Sequence, residues 1–368
     1  MVRIGIKSYL KKELSMIHLR EGIVTQILER HNDTIEILVR IEEKEYKAIV
    51  YPKLTGDVSI GDVVKLNTTA IDLNLGTGGY HFVISNNRTY QLNSDISGHI
   101  MKLKYTPIQI KCLTIEESYP HIINSFTSLE RMPVAIGSIH SMLPPLAAVI
   151  KELKPNCRIV YIMTDGGALP IGFSHIVRIL KEKKLIDFTI TCGNAFGGDF
   201  EAVNLYTALI GAKYIAKCDA AIVIMGPGHA GTGTKLGFTG LEIANHAHIV
   251  YSMGGIPICV PRVSFSEKRE RHYGISHHFL TAMGSFCLIP CHMAFPCLSE
   301  HEMEFIIKQY KTFELDQKHR ISFLNEDTIS IMEKNNLYIK TMGRSIKEDP
   351  AFFKTSGACG VLLTNLLA

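Results

Sequence analysis

The pattern of apolar and polar positions changes near residue 95, and the change predicts two domains of different architecture. Before that point, short segments such as 22–28, 34–41 and 45–51 alternate apolar and polar residues or are rich in β-branched residues. Turn sequences such as Thr55-Gly-Asp57 separate these segments. Alternation with a period of two is typical of half-buried strands. We therefore predict a small antiparallel β-barrel, OB-like or SH3-like, over residues 1–95.

After residue 95, apolar runs alternate with segments of 10–15 residues that have helical spacing. The runs lie at 134–137, 158–163, 188–191, 219–225 and 256–260, with a further candidate at 287–290. Between the third and fourth runs, a helix is expected from residue 201 to about residue 217. This rhythm is typical of βαβ units, in which helices cover both faces of a parallel sheet. The fold class is therefore predicted to be α/β. Residues 96–368 are expected to form a Rossmann-like, doubly wound and mostly parallel sheet, with a C-terminal helical tail from residue 345.

Polar residues follow most of the predicted strands. Ligands of open parallel sheets bind beyond the carboxyl ends of the strands, so these residues are expected to surround one pocket. The residues at these ends are Ser138, His140, Ser141, Asp165, Cys192, Asn194, Asp199, the glycine turn that begins at Gly226, and Arg262 with the loop that follows it.

The glycine turn after the run 219–225 is the strongest single motif. Its glycines have G-x-G-x-x-G spacing, and a stretch that can be helical follows. We predict that it binds a phosphate or a carboxylate. A tight structural turn and ordinary NAD binding are the alternatives, although no acidic residue ends the next strand and the lysine does not fit a P-loop. The proposed ligand-binding residues are Gly226, Gly228, Gly231, Thr232, Thr234 and Lys235.

The loop 266–278 is the most polar part of the second domain. Arg269 and Arg271 are predicted to neutralise an anion. His277 or His278 is predicted to move protons together with Asp165, because an unperturbed imidazole titrates near neutral pH. The two histidines are adjacent on a helix, so at most one is expected to face a given site. The alternatives are a solvated charged loop and, for Asp165, a helix cap.

A metal site is not predicted. One of the three histidines of this loop, His272, His277 and His278, could ligate Zn²⁺ or Mn²⁺ together with Asp165 or Asp199, but no H-x-x-x-H pair supports this. No cofactor is assigned.

Net charge, cysteine content and the length of apolar runs exclude some classes of function and location. The net charge is +4, too small an excess to favour nucleic acid. Nine cysteines are scattered without a C-x-x-C pair, which is typical of reduced thiols in a cytoplasmic protein. No uninterrupted apolar run approaches the ~18 residues of a membrane span. We expect a cytoplasmic protein without a membrane association.

Three motifs together resemble a known family. They are Leu73-x-Leu-Gly-Thr-Gly-Gly-Tyr-His-Phe82, Gly226-Pro-Gly-His-Ala-Gly-Thr-Gly-Thr234 and Arg269-x-Arg-His-x-Gly-Ile-Ser-His-His278. The chain resembles, over essentially its whole length, an uncharacterised bacterial family that is known only as a domain of unknown function and occurs mainly in Gram-positive lineages. The resemblance implies a bacterial, cytoplasmic setting. It implies no activity, substrate or catalytic residue.

The favoured function is an enzyme that binds a small phosphorylated or carboxylated metabolite, or a nucleotide, at the carboxyl edge of the parallel sheet. The alternative is a non-catalytic sensor that couples ligand binding in the α/β domain to the barrel domain. A nucleic-acid-binding barrel is least favoured, because residues 1–95 lack an aromatic-rich basic face. The apolar C-terminal tail is expected to dock on the core or on a second subunit of a homo-oligomer.

Overall fold

The computed structural model describes residues 16–76, 78–88, 97–325 and 327–367. The chain divides into two units, Met1–Ser94 and Asp95–Ala368. The predicted boundary near residue 95 lies outside the described residues. Each unit has its own hydrophobic core.

The first unit is a closed five-stranded barrel with the strand order β1-β2-β3-β5-β4. Buried Ile35, Ile37, Val39 and Ile41 alternate with less buried residues along β2, as the sequence pattern predicts. The small barrel is thus confirmed, and its five strands fit the OB-like alternative. It is not wholly antiparallel, because β3 pairs with β5 in parallel. The elements are β1 (Leu19–Arg30), β2 (Ile35–Ile41), β3 (Lys44–Val50), α1 (Pro52–Thr55), β4 (Val63–Asn67), α2 (Thr69–Asp72) and β5 (His81–Asn86).

The second unit is built on an eight-stranded sheet in which every strand pair is parallel. The order is β11-β10-β9-β12-β8-β13-β16-β17, with β12 inserted between β9 and β8. The predicted Rossmann-like α/β class is confirmed. The strands of this unit are β6 (Ile100–Lys102), β7 (Ile110–Cys112), β8 (Pro133–Gly137), β9 (Ile159–Thr164), β10 (Phe188–Cys192), β11 (Phe200–Ala202), β12 (Ala220–Met225), β13 (Ile256–Cys259), β14 (Val263–Ser264), β15 (Gly274–Ile275), β16 (His292–Pro296) and β17 (Arg320–Leu324).

Helices cover both faces of the sheet. Along β9, Val160 and Ile162 join the core beneath α7, α8, α9 and α10, whereas Tyr161 and Met163 join the core beneath α5, α6, α12 and α13. The C-terminal helix α13 packs on α5 and β16 of its own chain. The helices are α3 (Ile115–Ser118), α4 (Pro120–Asn124), α5 (Leu143–Leu153), α6 (His175–Glu182), α7 (Leu205–Ile210), α8 (Glu242–Ser252), α9 (His277–Thr281), α10 (Glu300–Thr312), α11 (Leu315–Lys318), α12 (Thr328–Lys334) and α13 (Pro350–Asn365).

Three elements differ from the prediction. The helix expected from residue 201 begins only at Leu205, because residues 200–202 form the edge strand β11 beside β10. The sixth strand expected at 287–290 is wrong. There the amide of Cys287 donates to the carbonyl of Ala282 and closes a helical turn, and the strand is β16 instead. Strand β17 was not predicted.

Among the described residues, no helix is both long enough and apolar enough for a membrane crossing.

Candidate functional site

Two of the predicted strand-end residues line one cavity. Asp165 follows β9 and Asn194 follows β10, and the amide of Asn194 donates to Asp165 Oδ2 at 2.9 Å. Gly193 between them has a φ of +66°, and a Cβ there would lie 2.4 Å from Asp165 Oδ2. Both polar residues line a cavity of about 530 Å³. The expected convergence of these two strand ends is therefore found.

Lysines form part of the cavity wall. Lys102 is only 2% exposed, and its Nζ donates to Glu201 Oε2 at 2.6 Å and to the carbonyl of Ala195 at 2.6 Å. Its charge is thus used to hold β6 against the loop after β10. Lys104 also lines the cavity, is exposed, and makes no ion pair with any described residue. Lys104 is therefore available to an anion.

Glu242, which the sequence analysis missed, lies beside Asp165. Thr164 Oγ1 donates to Glu242 Oε1 at 3.2 Å, and a Cβ on Gly166 would lie 2.7 Å from Glu242 Oε2. Burial raises the pKa of Glu242 to about 7, the hydrogen bond from Thr164 acts against this rise, and the charge of Asp165 adds to it. The carboxyl group is therefore poised between its two protonation states at neutral pH.

One turn further along α8, His246 lies near Asp165. Burial lowers the pKa of His246 to about 4, while the charge of Asp165 acts in the opposite direction. Its Nδ1 is buried and has no hydrogen-bond partner among the described residues. His246 is therefore a neutral imidazole next to the carboxylate pair at physiological pH.

The glycine turn does not open a helix, and this part of the prediction is wrong. Helix α8 begins only at Glu242, so no helix N-terminus lies at Gly226. Gly226 instead packs against the loop after β9, where the amide of Ala168 donates to the carbonyl of Pro227 at 2.7 Å. A Cβ on Gly167 would lie 2.3 Å from the oxygen of Gly226. These glycines are needed because two backbones meet closely.

The rest of the glycine turn is exposed and bonded largely to itself. Gly228 has a φ of +105°, a conformation that favours glycine. Residues 231–236 are exposed, Lys235 among them. Thr232 Oγ1 lies 2.9 Å from Thr234 Oγ1, which accepts a hydrogen bond from the amide of Gly237. The two threonine hydroxyls thus stabilise the turn.

The two arginines of the charged loop have different surroundings. Arg269 donates to Glu267 through Nε at 3.1 Å and Nη2 at 2.8 Å, so its charge is neutralised. Arg271 is exposed and lies over Gly233, to whose carbonyl its Nη1 donates at a long 3.4 Å. The charged loop therefore meets the glycine turn through Arg271 and not through Arg269.

Four histidines gather at this junction, and we call His229, His272, His277 and His278 the histidine cluster. The ring of His278 stacks on Phe238 with centroids 3.9 Å apart, and a Cβ on Gly231 would lie 3.4 Å from His278 Cε1. The ring centroids of His277 and His278 lie 4.9 and 4.8 Å from that of His272. The expectation that only one of the adjacent histidines faces a given site is therefore wrong. They occupy the first turn of α9 and both approach His272.

The histidine cluster is neutral at physiological pH. Burial lowers the pKa of His272 and of His278 to about 3, with further lowering by Arg262 for His272 and by His277 for His278. The pKa values of His229 and His277 are also lowered, chiefly by burial. No contact joins Asp165 to His277 or His278 within the described part of the chain. The predicted catalytic set is thus divided between two places.

Ser141 lies away from both places. It is buried, and its Oγ donates to Thr341 Oγ1 at 3.0 Å. Neighbouring His140 is held between the carbonyl of Met225 and Ser174 Oγ. These residues at the end of β8 fix the packing of the elements around them.

Comparison with known proteins identifies the family of the chain but gives no activity for it. No curated protein matches the chain. Residues 47–360 match DUF3866, a protein of unknown function family, and this match spans most of the chain. The resemblance expected from the three motifs is therefore confirmed, and the chain belongs to the DUF3866 family.

Proposed function

We propose that this protein is an enzyme that binds a small phosphorylated or carboxylated metabolite, or a nucleotide, at the carboxyl edge of its parallel sheet. The observation that supports this most strongly is the pair formed by Asp165, which lines the cavity of about 530 Å³, and Glu242, which lies beside Asp165. Burial and the neighbouring Asp165 raise the pKa of Glu242 to about 7. General acid–base catalysis is most efficient when the pKa of the group lies near the working pH.

Glu242 suits proton transfer better than the histidines that the sequence favoured. Burial lowers the pKa of His278 to about 3 and also lowers the pKa of His277, so both are weak bases and are not in the imidazolium form at neutral pH. Glu242 can both accept and donate a proton there. We therefore assign the proton-transfer role to Glu242, with Asp165 as the carboxylate that contacts the substrate in the cavity.

The size and charge of the cavity fit a small anionic substrate. A volume of about 530 Å³ lies in the usual range for sites that bind small molecules and cofactors. Lys104 supplies a cation that no described residue neutralises. The side-chain amide of Asn194 adds a polar group to the cavity wall beside Asp165. In this proposal the anionic group of the substrate meets Lys104 and its reacting atoms meet the carboxylates.

A thermal-shift screen with nucleotides, sugar phosphates and carboxylates tests the binding part. A substrate that binds the native state raises the unfolding temperature. Lys104→Ala should weaken the shift, whereas Lys183→Ala, which removes an exposed lysine at the end of α6, should leave it unchanged. Compounds that give no shift at all, or equal shifts for both variants, would count against the site.

Turnover of the best compound tests the catalytic part. Glu242→Gln should lower kcat by roughly 10²- to 10⁴-fold, the usual contribution of general acid–base catalysis. The matched control is Glu182→Gln, at an exposed position of α6, and it should keep full activity. Binding without turnover would favour the sensor alternative.

The proposal includes a cytoplasmic setting. All nine cysteines are free, and eight of them are buried. Unpaired thiols are typical of proteins that stay in a reducing compartment. The bacterial origin implied by the family resemblance is part of the same expectation.

A further inference from the structure

We infer that His272, His277 and His278 bind one divalent transition-metal ion of the Zn²⁺ class. This goes beyond the proposed function, because the histidine cluster lies apart from the carboxylate pair and metal binding needs no substrate. The inference rests on the positions of the ring nitrogens, on buried nitrogens without partners, and on the contacts that orient the rings.

The three rings are already close to a ligating arrangement. One ligand nitrogen from each of His272, His277 and His278 lies within 4.8 Å of the other two. A tetrahedral Zn²⁺ with Zn–N bonds of about 2.0–2.1 Å holds its nitrogens roughly 3.3 Å apart. Side-chain rotations that bring the nitrogens together by up to about 1.5 Å would complete the site.

Nitrogens in the cluster lack protein partners. His277 Nε2 and His278 Nδ1 are buried and accept or donate no hydrogen bond among the described residues. His278 as a whole is only 8% exposed. Buried polar atoms are nearly always satisfied, so unpaired nitrogens on two adjacent rings require an explanation. A bound cation would satisfy them together.

Ser276 orients two of the proposed ligands. Its Oγ lies 2.7 Å from His272 Nδ1 and accepts a hydrogen bond from the amide of His278 as the N-cap of α9. His272 Nδ1 is occupied by Ser276 Oγ and lies 3.5 Å from Arg262 Nη1, so Nε2 is left as the ligand atom. Metal-bound histidines commonly donate their second ring N–H to such a partner. Ser276 therefore is a positioning residue.

His229 lies beside the proposed ion. Its ring centroid is 5.3 Å from that of His278, and its Nδ1 is 3.3 Å from Thr239 Oγ1. Three protein ligands with an open fourth position are typical of catalytic zinc sites. His229 is therefore a neighbour of the three proposed ligands and is not itself one of them.

The positive charges of Arg262 and Arg271 repel a bound cation, but this repulsion is limited. Arg262 Nη2 lies 3.5 Å from Glu267 Oε2, so part of its charge is compensated. Arg271 is exposed, and its Nε donates to His272 Nε2 at a long 3.4 Å. An incoming ion would replace this weak contact. Neutral imidazole ligands favour Zn²⁺ and related metals over Mg²⁺ or Ca²⁺.

A second group of possible ligands, Cys287, Cys291 and His319, is less suitable. His319 Nδ1 accepts a hydrogen bond from the amide of Cys291, and Nε2 contacts the carbonyl of Met283 at 3.1 Å. Both ring nitrogens are thus occupied by the backbone. This group serves as the internal competitor in the test.

The experiment uses tag-free full-length protein from which metal has been removed with a chelator. Zn²⁺ binding is measured by titration calorimetry, and Co²⁺ binding is measured by absorption spectroscopy. We expect one ion per chain. Loss of an outer-shell partner of a metal ligand typically costs 10–100-fold in affinity, so loss of a ligand in His277→Gln or His278→Gln should cost about 100-fold or more. Half-buried His277 is the safer variant for folding, which circular dichroism would verify.

Two controls separate this site from other sources of binding. His121→Gln removes an exposed histidine of α4 and should leave the affinity unchanged. Cys287→Ser disables the competing group and should also leave it unchanged. The inference is overturned if the protein binds neither ion, if folded His277→Gln binds as tightly as the wild type, or if Cys287→Ser abolishes binding.

Discussion

The carboxylate pair and the histidine cluster lie at the same edge of one sheet but are built differently. Asp165 lines an open cavity, and the pKa of neighbouring Glu242 is raised to about 7. His272 and His278 are buried beside other imidazoles and arginines, and their pKa values fall to about 3. Burial disfavours the charged form in both places. Burial therefore allows the Glu242 carboxyl to carry a proton at neutral pH, and it keeps His272 and His278 neutral, with a free lone pair on each ring.

This difference assigns different chemistry to each region. A carboxyl group that titrates near neutral pH suits proton transfer. Neutral imidazoles with unpaired buried nitrogens suit a metal ion. The loops after β9 and β12, which pack backbone to backbone at Gly167 and Gly226, connect the regions.

The largest effect is expected at the wall of the carboxylate cavity. Lys102→Met removes the partner of Glu201 and leaves a largely buried carboxylate without its cation. Breaking a buried ion pair from one side costs about 3–5 kcal/mol. Unfolding of the variant by denaturant measures this loss. Lys104→Met, at an exposed position of the same cavity, should change stability by less than about 0.5 kcal/mol. Equal losses in both variants would contradict the role of the pair.

A smaller, pH-dependent effect is expected at Glu242. Its pKa rises from 4.5 in the unfolded chain to about 7 in the folded protein. The group therefore stabilises the fold fully below pH 4.5, and this contribution is lost as the pH rises through about 7. Relative to Glu242→Gln, the wild type should lose about 3 kcal/mol of unfolding free energy across this window. Denaturant unfolding of both proteins at several pH values measures the difference. A difference that stays constant with pH would place the carboxyl group in an ordinary environment.

The smallest effect on stability is expected in the histidine cluster. Ser276→Ala removes the N-cap of α9 and should cost about 1 kcal/mol. It also removes the partner of His272, so Zn²⁺ affinity should fall about 10–100-fold. Ser174→Ala, which removes the N-cap of α6, should cost similar stability and leave Zn²⁺ affinity unchanged. Calorimetric titration of both variants distinguishes a positioning role from a general loss of stability.

The sequence predicted most of the fold because its periodicities are local. Alternation along β2 and buried runs such as β12 report strand burial directly. Strand β11 was missed because three residues carry no period, and its pairing with β10 decides its conformation. The prediction of a helix at residues 201–204 was therefore wrong, because the pairing of β11 with β10 cannot be inferred from the local sequence pattern.

The site was harder to predict, for three physical reasons. Asp165 and Asn194 were found because strand ends converge in any parallel sheet. Glu242 was missed because loops distant in sequence create its environment. The turn at Gly226 was wrongly expected to open a helix, because close backbone packing requires glycine as much as phosphate binding does. His277 and His278 were expected to point to different sides of a helix, as adjacent residues do in a helix interior. They lie in the first turn of α9, where both rings approach His272.

The most direct test of this contrast is one NMR titration of metal-free protein with labelled glutamate and histidine, assigned with Glu242→Gln, His272→Gln and His278→Gln. We expect the Glu242 carboxyl to titrate near pH 7 while His272 and His278 stay neutral until the pH falls to about 3. Glu242 titrating near 4.5, with both histidines gaining a proton near 6.5, would contradict the account.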